Sequence, residues 1–204
     1  MKLMISSAKR YKENAMNVPN KLTVFRIILT PIFLLTATLE ILPHRFLIAT
    51  IIFCVASVTD FIDGNLARKN DQVTVLGKLL DPLADKILVT TALLLFLKYG
   101  FCDVWVVAII LAREFLITSI RLVATTQGIV IPANMFAKIK TTVQMISTIA
   151  IMVMAELKFG FKILPESFSI FPIADILLWI AAVFTILSGI VYIVDSRKVI
   201  DFTK

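Results

Sequence analysis

Long apolar runs alternate with short polar breaks along nearly the whole chain. Six apolar stretches stand out, at about 22–41, 45–68, 78–99, 103–125, 136–157 and 171–195. Each is long enough, as a helix with some tilt, to cross a hydrocarbon core of ~30 Å. The pattern predicts an all-α, polytopic membrane protein: a bundle of six transmembrane helices. The breaks around Pro132 and from Glu166 to Pro172 are the least sharply marked. No internal repeat and no Gly/Ser-rich linker interrupts the chain. One transmembrane domain over 20–204 is expected, preceded by a basic juxtamembrane segment, 1–19, with Lys2, Lys9, Arg10 and Lys12.

Composition agrees. Of 204 residues, 59% are hydrophobic and the mean hydropathy is +0.93, values of a membrane protein rather than a soluble domain. The basic residues are unevenly placed. Fourteen of the 21 Lys and Arg fall in the N-terminal segment, the second and fourth breaks and the C-terminus, against four on the opposite side. The positive-inside rule then puts both termini and the 2–3 turn on the cytoplasmic side of the inner (cytoplasmic) membrane. The first twenty residues are polar and basic, so no cleavable signal peptide is expected. The net charge of +7 suits anionic lipid headgroups and phosphorylated substrates, not nucleic acid, in a chain this apolar. Cys54 and Cys102 form no metal or redox motif and read as packing residues. A single histidine, His44, flanks a loop and leaves little room for histidine-based catalysis.

Polar residues inside the apolar pattern carry the chemistry. Asp60, Asp63, Gly64 and Ala67 fall at i, i+3, i+4 and i+7, one face of a helix. Gly77, Asp81 and Asp85 fall at i, i+4 and i+8, roughly one face of the next. The short break between them predicts an antiparallel pair with its acidic faces together. A carboxylate deep in a membrane helix costs about 2.5–3.5 kcal/mol, and four clustered carboxylates also repel one another. Divalent cations would compensate. A ligand set of oxygen alone favours hard ions such as Mg2+ or Mn2+. A solvated acidic loop would leave the helical spacing and the adjoining Gly, Ala and Arg without a reason.

The run Asp60-x2-Asp63-Gly64-x2-Ala67-Arg68-x8-Gly77-x3-Asp81-x3-Asp85 resembles the signature of the CDP-alcohol phosphotransferase family at all eight fixed positions. The resemblance implies an integral membrane enzyme with its active site at the cytoplasmic side. Such an enzyme passes a phosphatidyl or related group from a CDP-linked donor to an alcohol. It also implies that Asp60, Asp63 and Asp81 hold two metal ions, with Asp85 as the fourth metal neighbour and the catalytic general base. Cations would neutralise the diphosphate, and a carboxylate within reach would take the alcohol proton. By the same resemblance Asn20, Thr23, Asp63, Gly64, Ala67, Arg68, Thr74 and Gly77 are the CDP-binding positions. Gly64 and Ala67 leave room for the nucleotide, and Arg68 offers a planar fork to phosphate. Asn20 and Thr23 read equally well as caps of the first helix.

Three further elements look like the phosphatidylglycerophosphate synthase branch of that family. They are Asn20-x-x-Thr23-x-x-Arg26, Ala112-Arg113-Glu114, and Lys138-x-Lys140-Thr141-x-x-Gln144. They imply CDP-diacylglycerol as donor and glycerol 3-phosphate as acceptor, whose phosphate Arg113, Arg121, Lys138 and Lys140 would bind. Lys138 and Lys140 point to opposite sides of a helix, so one is expected to face the site. Glu114 is placed to hold a basic neighbour. The last helix, apolar up to Tyr192, Asp195 and Arg197, is accounted for by packing or by contact between copies. The resemblance also implies a homodimer among membrane lipids. Other acceptors of the same family stay open: phosphatidylglycerol, as in a cardiolipin synthase, or inositol phosphate. A divalent-metal transporter is the rival of another class, but no second acidic helix pair completes a path.

Overall fold

A computed structural model describes the backbone at 18–69, 75–127, 129 and 135–197, and the side chains there except at 18–20, 60–69, 75–82, 85 and 126. All regular structure among these residues is helical. The helices are α1 (Val18–Thr38), α2 (Arg45–Lys69), α3 (Val75–Lys98), α4 (Val104–Thr126), α5 (Met135–Ala155), which runs on into a π turn (Glu156–Gly160), and α6 (Phe171–Arg197). Among the described residues, three are long and apolar enough to cross a membrane: Lys21–Thr38, Met135–Gly160 and Phe171–Arg197. α4 has the length, but Arg113, Glu114 and Arg121 fall in every eighteen-residue stretch of it.

Most helix limits lie within a few residues of the apolar pattern. The first helix differs most: it begins at Val18, with Pro19 in the first turn where its missing N–H costs nothing, and ends at Thr38. Leu39 and Ile41 extend the apolar run without being helical. Ile41 is 89% exposed, and His44 closes the turn at φ 54°. Hydropathy alone could not separate this exposed turn from the helix before it.

The chain divides within α3 into two compact units, up to Ala92 and from Leu93 on. In the first, α1 packs on α2. Phe33 and Phe53 meet with ring centroids 5.7 Å apart, and Ala37, Ala49 and Ala56 are fully buried. Small residues of this kind let helices approach closely without a hydrophobic driving force from water. Hydroxyls in this apolar setting bond back to their own helix: Thr30 Oγ1 donates to the Arg26 carbonyl at 3.0 Å, and Ser57 Oγ to that of Phe53 at 2.8 Å.

In the second unit α6 packs against both α4 and α5. The start of α4 is tied to the start of α6. Asp103 Oδ1 accepts from the Trp105 N–H at 3.2 Å, capping α4, while the Asp103 N–H donates to Asp175 Oδ1 at 3.3 Å. Phe101 lies among Phe96, Tyr99 and Phe171 at centroid distances of 5.7–6.2 Å. Beside it, burial pushes the Cys102 thiol up to about 11, with Asp175 and Asp103 adding to the effect. A thiol so placed is inert packing, as its lack of a motif implies. At the far end of α5, Lys158 Nζ donates to the carbonyls of Pro165, Glu166 and Phe168 at 2.6–2.9 Å, fastening the segment that leads to α6.

Candidate functional site

The aspartate signature lies on two helices, as its spacing requires. Asp60, Asp63, Gly64, Ala67 and Arg68 belong to α2, and Gly77, Asp81 and Asp85 to α3. Their side chains, that of Asn20 on α1, and all of Thr74 lie outside the described residues. Among the described residues, which do not include the side chains of these four aspartates, no three metal-ligating side chains come together. A donor set drawn from these aspartates would be all carboxylate oxygen, which fits Mg2+ or Mn2+. Of the expected nucleotide neighbours, Thr23 is described: it is fully buried in α1, one turn from the buried Arg26.

The four basic residues expected at the acceptor phosphate, Arg113, Arg121, Lys138 and Lys140, lie among the described residues, and two of them meet. Lys140 of α5, 5% exposed, forms an ion pair with Glu114 Oε1 of α4. Arg113 Nη1 donates to the same oxygen at 3.1 Å. Arg113 Nη2 donates to Ser188 Oγ of α6 at 2.7 Å, and the Ser188 hydroxyl donates to the Thr185 carbonyl at 3.2 Å. One carboxylate thus stands between two cations from neighbouring helices, and a third helix supplies a hydroxyl. Arg121, two turns along α4, is exposed and places its guanidinium 5.9 Å from the centroid of the buried Tyr192 ring. Ser188 and Tyr192 are one turn apart, so both arginines reach one face of α6. Lys138 is exposed and apart from this group. The buried amide nitrogen of Gln144 and the buried hydroxyl of Tyr192 have no hydrogen-bond partner among the described residues.

Residues 16–187 match the family model for CDP-alcohol phosphatidyltransferases. The chain belongs to the CDP-alcohol phosphatidyltransferase family. It is similar to the CDP-diacylglycerol–glycerol-3-phosphate 3-phosphatidyltransferase of Bacillus subtilis (strain 168), with 41% identity over 184 residues, 85% of this chain and 91% of the relative. The protein of that name from Rickettsia bellii is 37% identical over 182 residues, covering 89% and 96%. That of Escherichia coli (strain K12) is 40% identical over 136 residues, covering 64% and 74%.

The sequence predicts packing or contact between copies for α6, and the structure adds a polar contact: Ser188 touches Arg113, and a Cβ on Gly189 would stand 3.1 Å from Arg113 Cγ. The sequence signal was faint: a Ser-Gly pair interrupting Ile, Leu and Val, just past the residues matched by the family model. The pairing expected of Glu114 is present, with Lys140 as well as with Arg113.

Proposed function

We propose that this protein transfers the phosphatidyl group of CDP-diacylglycerol to glycerol 3-phosphate, giving phosphatidylglycerophosphate and CMP. The observation that carries the acceptor is the Arg113–Glu114–Lys140 group on α4 and α5. Arg113 and Lys140 reach the same carboxylate oxygen in a largely buried setting. An uncharged acceptor would offer these two cations neutral oxygens alone, weaker partners than an ionised phosphate. A phosphate monoester offers them charge-assisted hydrogen bonds and lets Arg113 and Arg121 fix the far end of the glycerol. The names of the three relatives support the same substrates.

Donor chemistry belongs to the signature. Asp60, Asp63, Asp81 and Asp85 would hold two Mg2+ or Mn2+ ions, which when bound supply positive charge to the diphosphate and the departing CMP. Asp85 accepts the proton of the attacking hydroxyl. Asn20, Thr23, Gly64, Ala67, Arg68, Thr74 and Gly77 line the CDP moiety, small residues admitting it and Arg68 meeting its phosphate. Lys140 serves the acceptor phosphate from its buried position, and Lys138 anchors α5 at the headgroup level. The uneven distribution of Lys and Arg supports six crossings, an active site open to the cytoplasm, and both termini on that side of the cytoplasmic membrane. The family resemblance supports a homodimer surrounded by membrane lipid.

The deciding experiment incubates purified protein with CDP-diacylglycerol and a panel of acceptors, with and without chelator, and identifies lipid products by mass. Phosphatidylglycerophosphate should form with glycerol 3-phosphate, cease on chelation, and return with Mg2+ or Mn2+. Preference for phosphatidylglycerol would make the protein a cardiolipin synthase. Equal use of free glycerol would overturn the phosphate pocket, and full activity in chelator would overturn the metal reading.

A further inference from the structure

Arginine can offer five N–H donors, and its value at a phosphate depends on which of them are aimed at it. On a long side chain that aim is lost to rotamer freedom unless the surroundings fix it. Arg113 is fixed from three sides. Glu114 takes one Nη1 hydrogen at 3.1 Å, and Ser188 takes one Nη2 hydrogen at 2.7 Å. The third constraint is an omission. Gly189 carries no Cβ, and one placed there would come within 3.1 Å of Arg113 Cγ and 3.8 Å of its Nε. The arginine stem therefore lies flat on the bare backbone of α6. The Ser188 hydroxyl is itself directed, because its own hydrogen goes to the Thr185 carbonyl at 3.2 Å. That leaves the lone pairs of the oxygen for the guanidinium.

We propose that α6 is the positioning element of the acceptor site: Ser188 and Gly189 hold the Arg113 guanidinium in the orientation in which it meets the acceptor phosphate. This rests on the reading of Arg113 as a phosphate ligand. Neither α6 residue is catalytic; both act through Arg113. Alanine at either position has the higher helix propensity, so helix stability alone would not select this pair.

Ser188→Ala removes one oxygen and little else. It should raise KM for glycerol 3-phosphate about tenfold, the effect of losing one hydrogen bond to a charged group. The change in kcat should be smaller, and KM for CDP-diacylglycerol should stay near its original value. Gly189→Ala should act in the same direction by displacing the stem. Both effects should vanish in an Arg113→Ala background, where there is no guanidinium to aim and no Cγ to meet the new methyl. If Ser188→Ala and Gly189→Ala leave KM for glycerol 3-phosphate unchanged while Arg113→Ala raises it, the positioning role is wrong and the phosphate pocket stands. If Arg113→Ala itself leaves that KM unchanged, the pocket reading fails first. Further loss from Ser188→Ala on top of Arg113→Ala would show that the serine acts by another route, and would also overturn the proposal.

Discussion

Lys138 and Lys140 are separated by one residue and differ in almost everything else. A helix turns about 100° per residue, so positions two apart face away from each other. Lys140 is buried against Glu114, whereas Lys138 is exposed. Lys140→Ala would leave Glu114 largely buried with one cation fewer and should destabilise the protein by about 2 kcal/mol. Lys138→Ala should stay within about 0.5 kcal/mol. Thermal unfolding in detergent would check both, and equal effects would contradict the asymmetry. The opposed directions of this pair were legible in the sequence, but the choice between them was not. It depends on which face α5 turns to α4, and Ile139 and the residues around it offer no strong bias. Ser188 was less legible still. Most hydroxyls on these helices bond to a carbonyl one turn back, as those of Thr148, Thr185 and Ser196 do. Nothing local distinguishes Ser188, which also accepts from an arginine 75 residues away.

At the scale of elements, the apolar runs were a good guide because a helix that faces lipid needs no amphipathic stripe, only length and the absence of charge. The guide fails where the chain changes helix type. α5 ends in a π turn over Glu156–Gly160, where a buried Glu156 folds its carboxylate against Gly160. A Cβ at Gly160 would overlap that carboxylate. From sequence, a glycine four residues after a glutamate reads as an ordinary helix end. The wider turn follows from burying the acidic side chain, which is a tertiary effect. Gly160→Ala should therefore cost about 1–3 kcal/mol, as overpacking does. The same substitution in an exposed helix interior would be neutral or favourable. A thermal scan of the variant in detergent decides it: an unchanged or raised midpoint would mean that Glu156 moves aside freely.

Across the whole molecule, the placing of charge on one helix shapes how the protein can be made. α4 carries Arg113, Glu114 and Arg121, and an arginine at the centre of a membrane helix costs about 2.5–3.5 kcal/mol. The groups that compensate these charges, Lys140 and Ser188, come later in the chain. On a ribosome, α4 emerges before either of them does. In the six-crossing arrangement proposed above, its lodging in the bilayer is provisional until α5 and α6 have followed, and the proposed acceptor site is completed in the same event that secures the helix. A chain released at residue 130 should leave α4 poorly inserted. A thiol reporter at Gln127, in a background without Cys54 and Cys102, would then be reached by an impermeant reagent from the outer side. In the full chain the same reporter should be protected. Equal protection in both would mean that α4 enters the membrane without help from the helices synthesised after it.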